Sequence, residues 1–140
     1  MTIEENLKIV DEFLDAFNGR DWDRVERLHA ESVVYVTPDN TVQERGRDKV
    51  RQIFVDYTGV FPDAHNRKER ALAMGEWVCA EYTFTGTHKG PMTGPEGKRV
   101  AGTGKIARVP WVSMYKIVGG QIVEWHAYWD ALGMWKQLLY

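Results

Sequence analysis

The sequence KIARVPWVSMYKIVGGQIVEWHAYW, residues 105–129, contains two segments rich in β-branched and aromatic residues on either side of Gly119-Gly120. Such segments favour strands, and a glycine pair between them favours a tight turn. The pattern therefore predicts an antiparallel hairpin, with one strand over 105–118 and the return strand over 121–129. This hairpin carries three of the six tryptophans, at positions 111, 125 and 129.

The length of the hairpin loop decides which side chains share a face. A three-residue loop pairs Val118 with Ile122 and Ser113 with Ala127. One face then carries Trp111, Ser113, Tyr115, Trp125, Ala127 and Trp129. A two-residue loop pairs Ser113 with His126 instead, because a slip of one residue turns every side chain to the opposite face. We favour the first register.

The residues before this hairpin predict two further strands and an irregular excursion. Residues 77–87 have the alternating pattern of a strand, which places Ala80, Tyr82 and Phe84 on one face. Residues 65–70 are polar on both faces, which is typical of an edge strand in water. The glycine-rich segment 86–104 contains two prolines and predicts either a lid over a cavity or a floppy hairpin tip.

The first sixty residues show helical patterns. Thr2 and Glu5 have the spacing of a capping box, and an apolar stripe follows that ends before Gly19. Asp21 begins a short second helix that runs to about His29. A short strand over 33–36, a turn at Pro38-Asp39-Asn40 and a third helix over 48–57 complete this half, and 132–139 predicts a C-terminal helix or turn. Helices followed by a meander indicate an α+β fold.

Composition narrows the classes of function. The 140 residues have the length of one domain, so we expect a single domain over 1–140. Lys and Arg number 18 against 20 Asp and Glu, which argues against nucleic-acid binding. No apolar run is long enough for a membrane span, and no signal peptide is evident. The single cysteine, Cys79, cannot form an internal disulfide, so we expect a cytoplasmic protein.

Several motifs together resemble a known family. They are Phe61-Pro62-Asp63, the stretch FTGTHKG at 84–90, the stretch VGGQIVE at 118–124, and Tyr128-Trp129-Asp130 with Gln137-Leu138. In this order and spacing they resemble the SnoaL-like polyketide cyclases, within the superfamily of nuclear transport factor two. The resemblance implies a cone-shaped, curved antiparallel or mixed sheet with three N-terminal helices on its concave face. It also implies a homodimer, an apolar pocket between sheet and helices, and catalysis without metal or cofactor.

The resemblance also shows where this sequence departs from the family. The family's catalytic aspartate falls at Ala127, and the histidine that partners it falls at Ser113. Alanine transfers no proton, so the cyclase mechanism does not carry over as it stands. The downstream acid, Asp130, matches the family at the end of the last strand.

Other residues remain as candidates for proton transfer and for binding. We expect catalytic roles for Tyr35, His88, His126 and Asp130. A ring-lined site would bind a flat apolar or aromatic ligand through stacking, and the expected binding residues are Phe54, Tyr57, Trp111, Ser113, Tyr115, Trp125 and Trp129. No spacing of His, Cys or acidic residues predicts a metal site.

Each catalytic candidate has a structural alternative. His126 forms a dyad with Asp130 if the chain turns after Trp129, or it lies on the outer sheet face beside Glu124 and Tyr128. His88 acts in catalysis or stabilises a turn. His29 is expected at the end of the second helix, where the helix dipole favours a cation.

Two hypotheses for function follow. The first is a cofactor-independent enzyme for cyclisation, isomerisation or dehydration of a ring-bearing or polyketide-like substrate. The alternative is a non-catalytic module that binds hydrophobic ligands or forms a dimer on the same fold, as Ala127 and Ser113 suggest. We expect a homodimer because Val112, Met114, Ile122 and Tyr128 make the convex face too apolar for water.

Overall fold

The computed structural model describes residues 1–37 and 43–140. The helices are α1 (Ile3–Asn18), α2 (Trp22–Arg27), α3 (Arg47–Val60) and α4 (Ala131–Leu139). The strands are β1 (His29–Val36), β2 (Gln43–Arg45), β3 (His65–Met74), β4 (Trp77–Thr87), β5 (Met92–Thr93), β6 (Arg99–Val100), β7 (Ile106–Val118) and β8 (Gln121–Trp129). The predicted turn at Pro38-Asp39-Asn40 lies outside the described residues.

Six strands form one curved mixed sheet in the order β2-β1-β8-β7-β4-β3. Strands β1 and β8 are parallel, and every other neighbouring pair is antiparallel. The helices pack against this sheet, α1 on β3 and β4, α3 on β1, and α4 on β7. The α+β class predicted from the sequence is therefore confirmed, and β3 is an edge strand as expected. In the described part of the chain no helix is long and apolar enough to cross a membrane.

The predicted helix caps are present. Thr2 Oγ1 accepts from the Glu5 amide at 3.1 Å, and the Glu5 carboxylate accepts from the Thr2 amide at 3.0 Å. The Asp21 carboxylate accepts from the Arg24 amide and begins α2. Helix α1 ends at Gly19, but the left-handed conformation falls on the next residue, Arg20, with φ of 58°. The Arg20 guanidinium donates to the Phe17 carbonyl at this turn and to the carbonyls of Pro62 and Ala64 before β3, which ties the turn to that segment.

The hairpin combines features of both registers considered above. The loop has two residues, because Val118 pairs with Gln121 across Gly119-Gly120. The three-residue loop was therefore wrong. A β-bulge at Val123 then adds one residue to β8, so that Ser113 pairs with Ala127 and Tyr115 with Trp125. The predicted face of Trp111, Ser113, Tyr115, Trp125, Ala127 and Trp129 is correct for this reason.

The same bulge corrects the prediction for Ile122. The bulge reverses which side chains of β8 face the core, so even-numbered residues face inward before it and odd-numbered residues face inward after it. Ile122 pairs with Ile117, and its side chain is buried in the core. It therefore does not belong to the outer face. Val112 and Met114 are half-buried and Tyr128 is exposed on that face, as predicted.

His29 is the first residue of β1 and is buried, whereas a charged position at a helix end was predicted. Its Nδ1 lies 2.6 Å from the Val25 carbonyl oxygen, and its ring packs edge-on against Phe13. Burial lowers the pKa of His29 from 6.5 to about 4. The prediction of a cation was wrong, because the loss of hydration outweighs the attraction of the helix carbonyls.

The excursion after β4 is attached to the body of the protein. The amides of Lys89 and Gly90 donate to the Val60 carbonyl at the end of α3. A Cβ at Gly102 would lie 2.1 Å from the Lys89 carbonyl oxygen, so the two backbones approach closely there. Strands β5 and β6 pair within the excursion.

Candidate functional site

A cavity of about 620 Å³, including the space at its opening, lies between the helices and the sheet. We call it the main cavity. The helices contribute Phe17, Ile53, Phe54, Tyr57 and Met134 to its lining. The sheet contributes Tyr35, Asn66, Phe84, Val109, Trp111, Trp125, Ala127 and Trp129. Its surface is mostly aromatic and apolar, as is usual for small-molecule sites.

The rings around the main cavity pack closely against one another. Trp125 lies at the centre, with ring centroids 4.3 Å from Tyr35 and 5.2 Å from Phe54. Trp22 stacks with Phe54, and the two rings are nearly parallel. Rings that hold each other in place lose little conformational freedom on binding, so this wall is suited to a flat ligand.

The polar groups of the main cavity are few. Among the residues that the structure describes, no carboxylate and no imidazole lines it. Its polar side chains are the phenols of Tyr35 and Tyr57, the Trp indoles and the Asn66 amide. Burial raises the pKa of Tyr57, and the neighbouring Tyr35 phenol raises it further. Tyr57 therefore remains a neutral hydrogen-bond donor at physiological pH.

Asn66 is a lining residue that the sequence analysis missed. It was assigned to an exposed polar segment, but the residue is buried, with 8 % of its surface accessible. Its neighbours His65 and Arg67 are exposed, so the strand alternates at this point. Side chains of a strand point alternately to its two faces, so an exposed His65 would have placed Asn66 on the inner face. A polar side chain does not indicate burial in a sequence, and for this reason Asn66 was missed.

A second, smaller cavity of about 270 Å³, including the space at its opening, adjoins the main cavity, and we call it the side cavity. Five residues line both, and they are Phe17, Phe54, Asn66, Trp111 and Trp125. Tyr82 and Tyr115 line the side cavity, and their hydroxyl oxygens lie 3.1 Å apart. The side cavity is therefore a continuation of the same ring-walled space.

Two predicted binding residues lie behind the main cavity. The Trp125 indole donates to Ser113 Oγ at 2.7 Å, and Ser113 is fully buried. Burial raises the pKa of the Tyr115 phenol to about 12, although its hydrogen bonds to Ser113 and Tyr82 act in the opposite direction. Ser113 and Tyr115 thus orient Trp125, and the structure does not bring them to the lining of the main cavity.

Comparison with known proteins assigns the chain to a family. The family model described as SnoaL-like polyketide cyclase matches residues 8–138. The chain belongs to this family. Among curated proteins, none matches the sequence significantly.

Solved structures with the same fold span several activities. A predicted SnoaL-like polyketide cyclase from Jannaschia sp. CCS1 has a TM-score of 0.87 at 20 % identity, covering 99 % of this chain and 94 % of its own. AclR, a predicted hydroxylase from Streptomyces galilaeus, has a TM-score of 0.82 at 21 % sequence identity, and the match covers 96 % of each chain. An LEH-like epoxide hydrolase from M. tuberculosis has a TM-score of 0.75 at 21 % sequence identity, and the match covers 98 % of this chain and 91 % of its own. At these identities the similarity shows the fold alone.

This member of the SnoaL-like family has small residues where the resemblance implies catalytic ones. Ser113 and Ala127 lie directly opposite each other on β7 and β8. Ala127 lines the main cavity at the position that corresponds to the aspartate. The absence of a carboxylate at this point enlarges the apolar part of the wall.

Three expected catalytic residues lie outside the main cavity. His126 is on the outer face, where its Nε2 lies 2.7 Å from Glu124 Oε1 and its ring stacks near Tyr128. Asp130 accepts from the Gly133 amide at 2.8 Å and caps α4, so the two do not form the dyad considered above. His126 lies outside the cavity because it is on the outer face of β8. Asp130 lies outside it because its carboxylate caps the start of α4.

His88, the third, is buried at the base of the excursion. Its Nδ1 accepts from the Thr103 amide at 3.3 Å and lies 3.1 Å from the Thr103 hydroxyl. Its backbone pairs with Lys105 and Gly104. These contacts are those of a residue that joins the two ends of the excursion. Of the expected catalytic residues, Tyr35 alone lines the main cavity.

The described residues contain no group of three His, Cys, Asp or Glu side chains placed to hold a metal ion. The outer face carries Cys79 and Glu81 on β4, and Glu81 pairs with Arg70 at 3.1 Å. These side chains are separated from the main cavity by the sheet.

Proposed function

We propose that the protein binds a flat, largely apolar ring-bearing small molecule in the main cavity and promotes a ring-forming or isomerising reaction of it. The observation that carries this proposal is a ring-walled space between the helices and the sheet with two phenols in its wall. Aromatic walls favour ligands with extended π-systems through stacking and burial of apolar surface. Proteins of the same fold include a predicted polyketide cyclase and an epoxide hydrolase, and both activities agree with small-molecule chemistry.

The chemistry that these residues support is hydrogen-bond donation to a developing negative charge. A neutral phenol from Tyr35 or Tyr57 would donate to a ligand carbonyl oxygen as that oxygen becomes an enolate. The α-proton would pass to water or to a basic group of the substrate itself, since no carboxylate or imidazole of the described residues lines the cavity. Holding the rings of the substrate against the ring wall, with the reacting groups beside the phenols, would add to the rate increase.

Filling the cavity tests the binding part of the proposal. Replacing Ala127 by Phe places a ring in the main cavity, while His126→Phe adds a ring one residue away on the opposite face. We expect Ala127→Phe to weaken binding of 9-fluorenone, a flat tricyclic ketone, at least tenfold in equilibrium dialysis. His126→Phe should bind like the wild type. Equal binding by Ala127→Phe and wild type would refute the location.

The second candidate function is a non-catalytic ligand-binding module. It is favoured by Ala127 and Ser113 at the positions where the family resemblance implies proton-transfer residues. Exchange of the α-protons of 2-indanone in D₂O, followed by NMR, separates the two candidates. If the protein is an enzyme, we expect the exchange to be faster than in buffer alone and slower in Tyr35→Phe or Tyr57→Phe than in the wild type. If it is a binding module, we expect 2-indanone to bind and to exchange at the rate seen in buffer alone.

A further inference from the structure

The Asn66 side chain is held in one orientation by contacts on both sides. Its backbone amide donates to Asn18 Oδ1 at 3.0 Å, and its carbonyl accepts from Asn18 Nδ2 at 2.9 Å. Its side-chain Oδ1 accepts from the Trp111 indole Nε1 at 2.9 Å. The residue is therefore fixed at its backbone by α1 and at its amide oxygen by β7.

The contact with Trp111 also determines which amide atom faces which way. An indole N–H can only donate, so the atom that faces it must be the carbonyl oxygen of Asn66. The NH₂ group then lies on the other side of the amide plane. Within the described residues this NH₂ has no hydrogen-bond partner, and it keeps some accessible surface. Because Asn66 lines both the main and the side cavity, that surface is cavity surface.

A ligand that covers this NH₂ without accepting a hydrogen bond from it leaves a buried donor unsatisfied, which is unfavourable. Here the donor is oriented in advance and located where two ring-walled spaces join. Unlike the phenols, which donate or accept as their hydroxyls rotate, this group can only donate. It therefore distinguishes between ligands: an acceptor oxygen is favoured beside it, and a second donor is not.

We propose that the Asn66 amide donates a hydrogen bond to an oxygen of the bound ligand, and that it thereby selects ligands that present an acceptor at the junction of the two cavities. This inference rests on the proposed function and names a residue that determines its specificity. The acceptor oxygen lies at the junction of the two cavities, beside Trp111. The rings of the ligand extend from there into the main cavity, along Trp125.

A matched ligand pair tests the inference with the protein unchanged. 9-Fluorenone and fluorene have the same tricyclic frame and differ in the carbonyl oxygen. We expect equilibrium dialysis to give about tenfold tighter binding of the ketone, the ratio expected for one neutral hydrogen bond to a buried donor. The ¹⁵N–¹H cross-peaks of the Asn66 NH₂, identified by their loss in Asn66→Asp, should shift with 9-fluorenone and much less with fluorene.

Two variants assign the preference to this amide. Asn66→Asp retains an oxygen for Trp111 and removes the donor, so the preference for the ketone should fall to about twofold or less. Asn6→Asp is the matched control, since Asn6 is also buried but does not line either cavity. It should retain the tenfold ratio. The cross-peak measurement needs no stable variant for its main comparison, because it is made on the wild type.

The outcomes separate this inference from the proposed function. Binding of both ligands with equal affinity, or a ketone preference that Asn66→Asp leaves intact, overturns the role of Asn66 while the cavity remains a binding site. If neither ligand binds, the proposed function fails and the inference fails with it. A ketone preference that only Asn66→Asp removes, with a shifted amide cross-peak, supports both.

Discussion

At the scale of single residues, burial determines the charge of His29 more than its position beside a helix end does. In the folded protein, burial lowers the pKa of His29 from 6.5 to about 4. Between these pH values the unfolded chain binds a proton that the folded protein does not. Stability is therefore lost as the pH falls from about 6.5 to 4, by an amount on the order of 3 kcal/mol.

We predict that His29→Phe removes this component of the pH dependence. Phenylalanine has a ring of similar size and can keep the edge-on contact with Phe13, but it has no titratable group. Urea unfolding at pH 7 and at pH 4.5 measures the effect. The stability of the variant relative to wild type should increase at the lower pH. An identical pH dependence in both proteins would contradict the burial argument.

Residue-level predictions from the sequence succeeded for the tryptophans of the hairpin, whose large apolar rings mark the face of a strand. Trp111, Trp125 and Trp129 were assigned to the correct face of their strands. Asn66 and His29 were not, because a buried polar residue resembles an exposed one in a sequence. Their burial follows from tertiary contacts with Asn18 and Phe13, which are distant in the chain.

At the scale of elements, the turn between β7 and β8 fixes what faces the cavity. Gly119 and Gly120 have φ values of 59° and 79°, so both central residues of the turn are in the left-handed region. The strands were predicted from their composition, and β8 has the predicted bounds. The bulge at Val123 was not predicted, because no residue type marks it in the sequence.

We predict that Gly119→Ala and Gly120→Ala each lower the free energy of unfolding by about 1 kcal/mol, since a Cβ is unfavourable at these angles. Gly59→Ala is the control, because this glycine lies in α3 with open space around the position of a Cβ. It should raise stability by about 0.5 kcal/mol. Chemical denaturation of the three variants checks the signs. Losses of equal size at all three positions would contradict the turn geometry.

At the scale of the whole molecule, the sheet separates a cavity side from an outer face. One row of the outer face runs across four strands through Leu72, Cys79, Met114 and His126. Leu72 is 71 % exposed and Met74, two residues further along β3, is 81 % exposed. The family resemblance implies a homodimer, and we propose that a second copy covers this face.

Sedimentation of point variants tests the dimer. We predict that the wild type is a dimer at micromolar concentration and that Leu72→Lys weakens dimerisation at least tenfold, because it brings a charge into an apolar contact. Val55→Lys makes the same kind of change on α3, away from the outer face, and should leave the dimer intact. A wild-type monomer, or a dimer unaffected by Leu72→Lys, would rule out this interface.

A crystal structure with 9-fluorenone tests most directly whether the ring-walled space between helices and sheet is the binding site. We predict the tricycle in the main cavity along Trp125, with its oxygen within hydrogen-bond distance of the Asn66 NH₂ group. Electron density for the ligand on the outer face near Trp77, with the main cavity unchanged, would contradict the account.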